Sequence, residues 1–214
     1  MAKRAPKVKP VEVRWLIESG RISPMSPIAL ITDRLRIEWL MMFDDEYIYG
    51  PTPGLVEVAD VLIRVLKPKS IIDLFGGSGA LSKLAVRSGV KNVTYVDLYP
   101  DAAVLNLRDV KGGLKIVRAD AFNFLEKKIG CDVLFADPPE ELINKFLNFH
   151  KRLREIFRKA ALIWIGSSES SMKRVKALRN RRMTEIVSAW GDVFAILWKP
   201  GLSSKIKKVR QMLE

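Results

Sequence analysis

Histidine, cysteine and glutamine occur once each in this sequence, as His150, Cys131 and Gln211. A single cysteine excludes an intrachain disulfide framework and suits a reducing cytoplasm. One histidine beside one cysteine leaves no zinc-ligand spacing and no Ser-His-Asp set, so no metal site is expected. No stretch approaches the roughly 18 uninterrupted apolar residues of a membrane-spanning helix, so no membrane partner is expected. The opening MAKRAPKVKP has no apolar core of a secretory signal. Few Gln and Cys among many Lys, Arg and Glu hint at a thermophilic source.

What is present is apolar mass and positive charge. Apolar residues make up 48% of the 214, enough for a full core. That length fits one domain with an extension, or two small ones. The net charge is +13 and it is segregated. Residues 1–14 carry five basic side chains and one acid, and residues 145–214 carry 17 and five. Residues 15–144 carry 15 basic and 18 acidic side chains. Such a balance implies a polyanionic partner, nucleic acid first, although a basic thermophile surface that binds nothing gives the same total. Uniform solubilising charge would not segregate, so the basic parts read as a phosphate-backbone surface.

Residues 1–10 read as a flexible basic arm. The spacing of Leu35, Trp39 and Met42 predicts a helix over Asp33–Phe43, followed by the acidic Asp44-Asp45-Glu46. Residues 1–49 together read as a small accessory segment, 50–200 as the main domain and 201–214 as a basic tail. Thr52-Pro53 marks a helix start, Leu55, Val58, Leu62 and Leu66 its apolar face, and Pro68 its end. Strands and helices then alternate. Strands are expected at Ser70–Phe75, Asn92–Asp97, Leu114–Val117, Asp132–Ala136 and Ala160–Ile165. Helices are expected at Leu81–Arg87, Asp101–Asp109, Ala121–Lys128, Glu169–Leu178 and, as one long amphipathic helix, across Leu142 to Phe157. This rhythm predicts a Rossmann-like, doubly wound α/β fold with a mostly parallel sheet. Met183–Trp190 and Asp192–Trp198 are separated only by Gly191, so the sheet is expected to end in an antiparallel hairpin. Lys205–Glu214 reads as a basic helix or a frayed end.

Four strand ends carry the chemistry. Asp73-Leu74-Phe75-Gly76-Gly77-Ser78-Gly79 closes the first strand and opens a helix, and its glycines allow a sharp turn and close ligand approach. Asp97 ends the second strand, where an acid can accept hydrogen bonds from both ribose hydroxyls. Asp120-Ala121 follows the third; Asp120 either bonds an adenine amino group or caps the next helix. Asp137-Pro138-Pro139 ends the fourth. Two prolines stiffen the backbone and remove two donors, leaving the Asp137 carboxylate and the Pro138 carbonyl as fixed acceptors for an NH2 group.

These motifs, in this order, resemble those of class I S-adenosylmethionine-dependent methyltransferases. More narrowly, residues 50–200 resemble the small-subunit rRNA guanine-N2 and N6-adenine amino-methyltransferases. The likeness rests on Gly50-Pro51-Thr52, Asp73 through Leu81, Ala119-Asp120-Ala121 with Phe124-Leu125, and Phe135-Ala136-Asp137-Pro138-Pro139. The resemblance implies a seven-stranded sheet and S-adenosyl-L-methionine as cofactor. It implies that Asp73, Phe75, Gly76, Gly77 and Gly79 surround the methionine part, Asp97 and Leu98 the ribose, and Asp120 and Ala121 the adenine. It further implies that Asp137, Pro138 and Pro139 hold the target amino group of a base, in RNA sooner than DNA, with no metal. The sequence departs from the pattern at Glu140, where the family has an aromatic ring that stacks on the base. Tyr47 and Tyr49, from the segment before the main domain, and Tyr99, which closely follows Asp97, are the aromatics that could substitute.

A nucleic-acid-binding protein that has lost catalysis, and a transferase acting on a small molecule or protein, remain alternatives. A nicotinamide dehydrogenase is disfavoured, because the turn lacks G-x-G-x-x-G. His150 is expected on a solvated helix face, Cys131 in the core, and the five tryptophans in packing. The sequence leaves the oligomeric state open.

Overall fold

The computed structural model describes residues 9–35, 40–43, 48–127, 129–179 and 181–214. The chain opens with β1 (Lys9–Glu12), α1 (Val13–Glu18), α2 (Pro27–Leu35), β2 (Leu40–Phe43) and β3 (Ile48–Tyr49). These three strands form a small antiparallel sheet in the order β1-β2-β3. Lys9 and Pro10 thus belong to a strand rather than to the arm expected over residues 1–10, of which 1–8 lie outside the described residues. The helix expected over Asp33–Phe43 is also corrected. Helix α2 starts at Pro27, whose fixed φ suits a first turn, and ends at Leu35. Leu40–Phe43 is a strand because it pairs with β1, Leu40 opposite Glu12 and Phe43 opposite Lys9. Tertiary pairing here overrides helical spacing. Trp39, Asp44-Asp45-Glu46 and Tyr47 lie outside the described residues.

Helix α3 (Pro53–Leu66) forms as its sequence dictates. Thr52 Oγ1 accepts from the Leu55 N–H at 3.2 Å, and Lys67 ends the helix in a left-handed conformation before Pro68. Its buried Leu55, Val58, Leu62 and Leu66 lie in the core, each side chain contributing about 1.5–3 kcal/mol. There follow β4 (Ser70–Leu74), α4 (Ala80–Arg87), β5 (Asn92–Asp97), α5 (Asp101–Asn106), β6 (Leu114–Arg118), α6 (Ala121–Glu126) and β7 (Cys131–Ala136). The chain continues through α7 (Ile143–Asn148), α8 (His150–Ile156), β8 (Phe157–Ser167), α9 (Met172–Arg179), β9 (Thr184–Ala189), β10 (Asp192–Trp198) and α10 (Ser203–Leu213).

The main sheet has seven strands in the order β6-β5-β4-β7-β8-β10-β9. Pairing is parallel from β6 to β8 and antiparallel across β10 and β9. This is the doubly wound sheet with a terminal hairpin that the sequence predicts. Side chains alternate between its faces. Ile71, Val133, Phe135, Ala160 and Leu162 pack in the layer of α3, α4 and α10. Ile72, Leu134, Ala136, Ala161 and Ile163 pack with α6, α7 and α8. Strand order reverses between β4 and β7, and in open sheets that switch point opens a crevice at the carboxyl ends of the strands.

Other expectations change in detail. The long helix across Leu142 to Phe157 is broken into a 3-10 turn at Glu140–Leu142, α7 and α8, with Phe149 between the last two. Strand β8 takes Phe157, opposite Cys131, and starts three residues before Ala160. The apolar residues keep helical spacing through the break because Ile143, Phe146, Leu153 and Ile156 fill one layer. Helix α5 stops at Asn106 rather than Asp109, where the buried Asn106 carbonyl accepts from Lys83 Nζ at 3.1 Å. The basic tail is a packed helix, with Ile206 and Val209 of α10 buried and Lys205, Lys207 and Lys208 outward. Not all tryptophans serve packing: Trp15 is 44% exposed and Trp190 45%. Trp190 and Gly191 form the β9–β10 turn, both at positive φ (55° and 86°), as a tight hairpin requires. No helix among the described residues is long and apolar enough to cross a membrane.

Candidate functional site

Strands β4, β5 and β7 bring Asp73, Asp97 and Asp137 to one edge of the sheet, which opens into a cavity of about 690 Å³. Its lining includes Asp73 of β4, Phe75, Gly76 and Gly77 from the turn, Asp97 and Leu98 at the end of β5, and Asp120 and Ala121 at the head of α6. Asp137, Pro138 and Pro139 complete the opposite wall. Gly79 does not line it. Gly79 precedes α4 at φ 78°, and a Cβ there would lie 2.8 Å from the Leu107 side chain. Its place is in closing the turn.

The turn is held from behind. Tyr95 donates from its hydroxyl to the Gly77 carbonyl at 2.8 Å, and Asn106 Nδ2 donates to the Ser78 carbonyl at 2.6 Å. The Gly79 N–H closes onto the Gly76 carbonyl at 2.8 Å. A Cβ on Gly76 would lie 2.3 Å from the Tyr95 ring, which is fully buried and tied by its hydroxyl. Gly76→Ala is therefore expected to destabilise the fold by about 1–3 kcal/mol and to weaken ligand binding in the cavity. Thermal unfolding checks the first effect, and an unchanged Tm would show that Tyr95 yields freely.

The acids differ in their surroundings. Asp73 is 1% exposed, and burial pushes its carboxyl up to about 7 against a hydrogen bond from Ser82 Oγ at 2.6 Å. Its other oxygen, Oδ1, is buried without a hydrogen-bond partner, as is the Ser78 hydroxyl beside it on the wall. Asp97 is half-buried and accepts from the Gly77 N–H (3.0 Å) and the Tyr99 N–H (2.7 Å). Each of its oxygens keeps a second lone pair for a ligand. Asp120 caps α6, accepting from the Asn123 N–H at 2.9 Å, and lines the cavity as well. Asp137 is half-buried, and burial, then the charges of Asp73 and Asp192, raise its carboxyl to about 7. Pro138 and Pro139 beside it have no N–H, so this stretch of wall presents acceptors only.

Several lining residues carry no signal in the local sequence. Trp164 on β8 and Leu142 after the two prolines join the cavity through the fold, while Ser78 lies within the glycine motif, where nothing local sets it apart. Glu140 lines it too, with Arg174 Nη1 at 3.7 Å. Tyr99 lines it and is 43% exposed, while for Tyr49 only the backbone is described. Cys131 is buried, and burial raises its thiol to about 12, so it is a core residue. A second hollow of about 580 Å³ between β9 and α10 holds Glu185 and Arg210 paired at 3.3 Å and none of the strand-end acids. Among the described residues no group of three His, Cys, Asp or Glu could hold a metal ion.

Comparison with known proteins places this architecture. Solved structures of low identity share the fold. A methyltransferase from Geobacter sulfurreducens is 18% identical, with 88% of this chain and 99% of that one covered and a TM-score of 0.58. An S-adenosylhomocysteine-bound methyltransferase from Podospora anserina is 14% identical, with 66% and 76% covered and a TM-score of 0.52. A candidate S-adenosylmethionine-dependent methyltransferase from Streptococcus mutans is 14% identical, with 75% of this chain covered and a TM-score of 0.58. The chain spans about half of that last protein, 53%. No curated protein matches the sequence. A family model described as conserved hypothetical protein 95 matches residues 51–188, more than half of the chain. The chain therefore belongs to the conserved hypothetical protein 95 family, and it shares its fold with S-adenosylmethionine-dependent methyltransferases.

Proposed function

We propose that this protein transfers a methyl group from S-adenosylmethionine to an exocyclic amino group of a base in RNA. The observation that carries the proposal is Asp137-Pro138-Pro139 on the wall of the same cavity as Asp73 and Asp97. The cofactor fits the residues present. The unpartnered Asp73 Oδ1 and Ser78 hydroxyl suit the ammonium and carboxylate of its methionine part, and Gly76 and Gly77 let the backbone come close. Asp97 has free lone pairs for the ribose, and Asp120 with Ala121 would face the adenine. When bound, S-adenosylmethionine supplies an electrophilic methyl group. Asp137 and the Pro138 carbonyl hold the incoming NH2 and aim its lone pair, and orientation of this kind supplies most of the rate gain. Deprotonated Asp137 can also accept the proton that the amino group sheds.

RNA is favoured by the charge. Residues 145–214 carry 17 basic and five acidic side chains, and Lys173 and Lys176 stand exposed on α9, the helix whose Arg174 reaches Glu140 at the cavity. Residues 1–49 would serve as an accessory segment before a catalytic domain at 50–200, with 201–214 as a basic tail. The lone cysteine is consistent with work in the cytoplasm.

A tritiated-methyl assay against total RNA and DNA, followed by nucleoside mass spectrometry, tests the proposal. Label is expected in RNA on an amino nitrogen of guanine or adenine. Label in DNA alone, or in neither nucleic acid, would overturn it. RNA affinity is expected to fall at least about tenfold between roughly 50 and 200 mM salt, since even a few phosphate contacts give that slope. A second reading, a nucleic-acid-binding protein without catalysis, is favoured by Glu140 beside the two prolines; it would bind S-adenosylhomocysteine and RNA and incorporate no label.

A further inference from the structure

Asp137 and Trp164 line the same cavity, one just after β7 and the other on the adjacent strand β8. Strands β7 and β8 run parallel, with Phe135 opposite Leu162 and Ala136 opposite Ile163 as the last pair; continued one residue further, that register sets Asp137 level with Trp164. Both lie on one face of the sheet, because Phe135 and Leu162, two residues earlier on each strand, pack in the same layer. Both line the cavity. The pairing of β8 with β10 slips at this level: Phe194 opposes Trp164 but Val193 opposes Gly166, leaving Ile165 extra. Such a bulge bends a strand and re-aims a side chain. The Trp164 Nε1–H donates to Asp192 Oδ1 at 3.0 Å, which fixes the ring while leaving it half-buried at the wall.

The other aromatic linings are placed differently. Phe75 packs edge-on against Phe122 and Phe146, with ring centroids 6.1 and 5.5 Å away. Tyr99 follows β5, which β4 separates from β7. Trp164 is on β8, the strand adjacent to the β7 end that Asp137 follows.

Resting on the base-methylation reading, we propose that Trp164 is the stacking surface for the target base and selects planar aromatic amines over aliphatic ones. A heterocycle lying on the indole would present its amino group edge-on to Asp137 and the Pro138 carbonyl. An aliphatic amine has no planar face to stack on the ring.

The test compares Trp164→Phe and Trp164→Leu, using total RNA for methyl incorporation and S-adenosylhomocysteine for calorimetry. Trp164→Leu is expected to lower kcat/KM for RNA at least about tenfold, the usual scale for losing one base–aromatic stack. Trp164→Phe should stay within about fivefold of wild type, and both should bind S-adenosylhomocysteine as wild type does. Stacking is overturned if Trp164→Leu keeps full activity, if Trp164→Phe is as impaired as Trp164→Leu, or if cofactor affinity falls in step with transfer. A wild-type protein that labels no RNA would instead overturn the base-methylation reading itself.

Discussion

Asp137→Ala is expected to lower methyl transfer at least about a hundredfold while the affinity for S-adenosylhomocysteine stays within about threefold. Asp137 stands on the wall with Pro138 and Pro139, whereas the residues suited to the cofactor come from β4, β5 and the start of α6. Removing the carboxylate leaves the substrate amino group with one fixed acceptor, the Pro138 carbonyl. Asp137→Asn separates charge from hydrogen bonding, because it keeps one acceptor of the same size. The pH profile adds a sign. Burial raises the Asp137 carboxyl to about 7, so at lower pH it is protonated and offers a donor where the NH2 needs an acceptor. With cofactor saturating, kcat should therefore fall as pH drops through about 7 in wild type and stay flat in Asp137→Asn. Full activity of Asp137→Ala, or an acid limb that survives in Asp137→Asn, would remove Asp137 from the mechanism.

What the sequence reveals of this site is what local chemistry encodes. Asp137-Pro138-Pro139 announces itself because two adjacent prolines delete donors wherever they fold. Thr52-Pro53 and Pro68 delimit α3 for similarly local reasons. Asp73 stands out because it interrupts the short apolar run before the glycine turn, and Asp97 because it ends one. The misread elements are those decided by distant partners. Leu40–Phe43 has helical spacing and becomes a strand because Lys9–Glu12 lies beside it. Phe157 continues a helical apolar pattern and becomes a strand because it meets Cys131. Trp164 sits in an apolar run like any packing residue, and only the pairing of β8 beside β7 brings it to the cavity that Asp137 lines. The turn's supports, Tyr95 and Asn106, are equally silent, since neither lies within the glycine motif it holds.

Asp73→Asn is expected to move binding and stability in opposite directions. The folded-state pKa of Asp73, about 7, lies above the ordinary carboxylate value of 3.8, so the folded protein holds a proton that the unfolded chain releases. The stability this provides is complete below about pH 4 and is lost as pH rises to about 7. Asp137, shifted the same way, adds to the loss. At pH 8 both acids are charged inside a poorly solvated wall, and the cofactor-free protein bears the cost. Asparagine keeps an acceptor for the Ser82 hydroxyl and carries no charge, so the variant should gain on the order of 1–2 kcal/mol at pH 8 and little at pH 4. On the proposed reading the unpartnered Oδ1 would take the ligand ammonium, so binding should suffer. Losing one partner of a buried charge pair costs about 2–5 kcal/mol, so the Kd for S-adenosylhomocysteine should rise at least about thirtyfold. Wild-type affinity should also strengthen as pH rises through about 7, and that dependence should flatten in the variant. Calorimetry and thermal unfolding at the two pH values measure both halves. A variant that binds as wild type does would place the ammonium elsewhere. One that is no more stable at pH 8 would mean that the Asp73 charge is already solvated. If both halves hold, burying Asp73 is a cost in the empty protein that ligand binding recovers, and the cavity owes its affinity to the group that destabilises it.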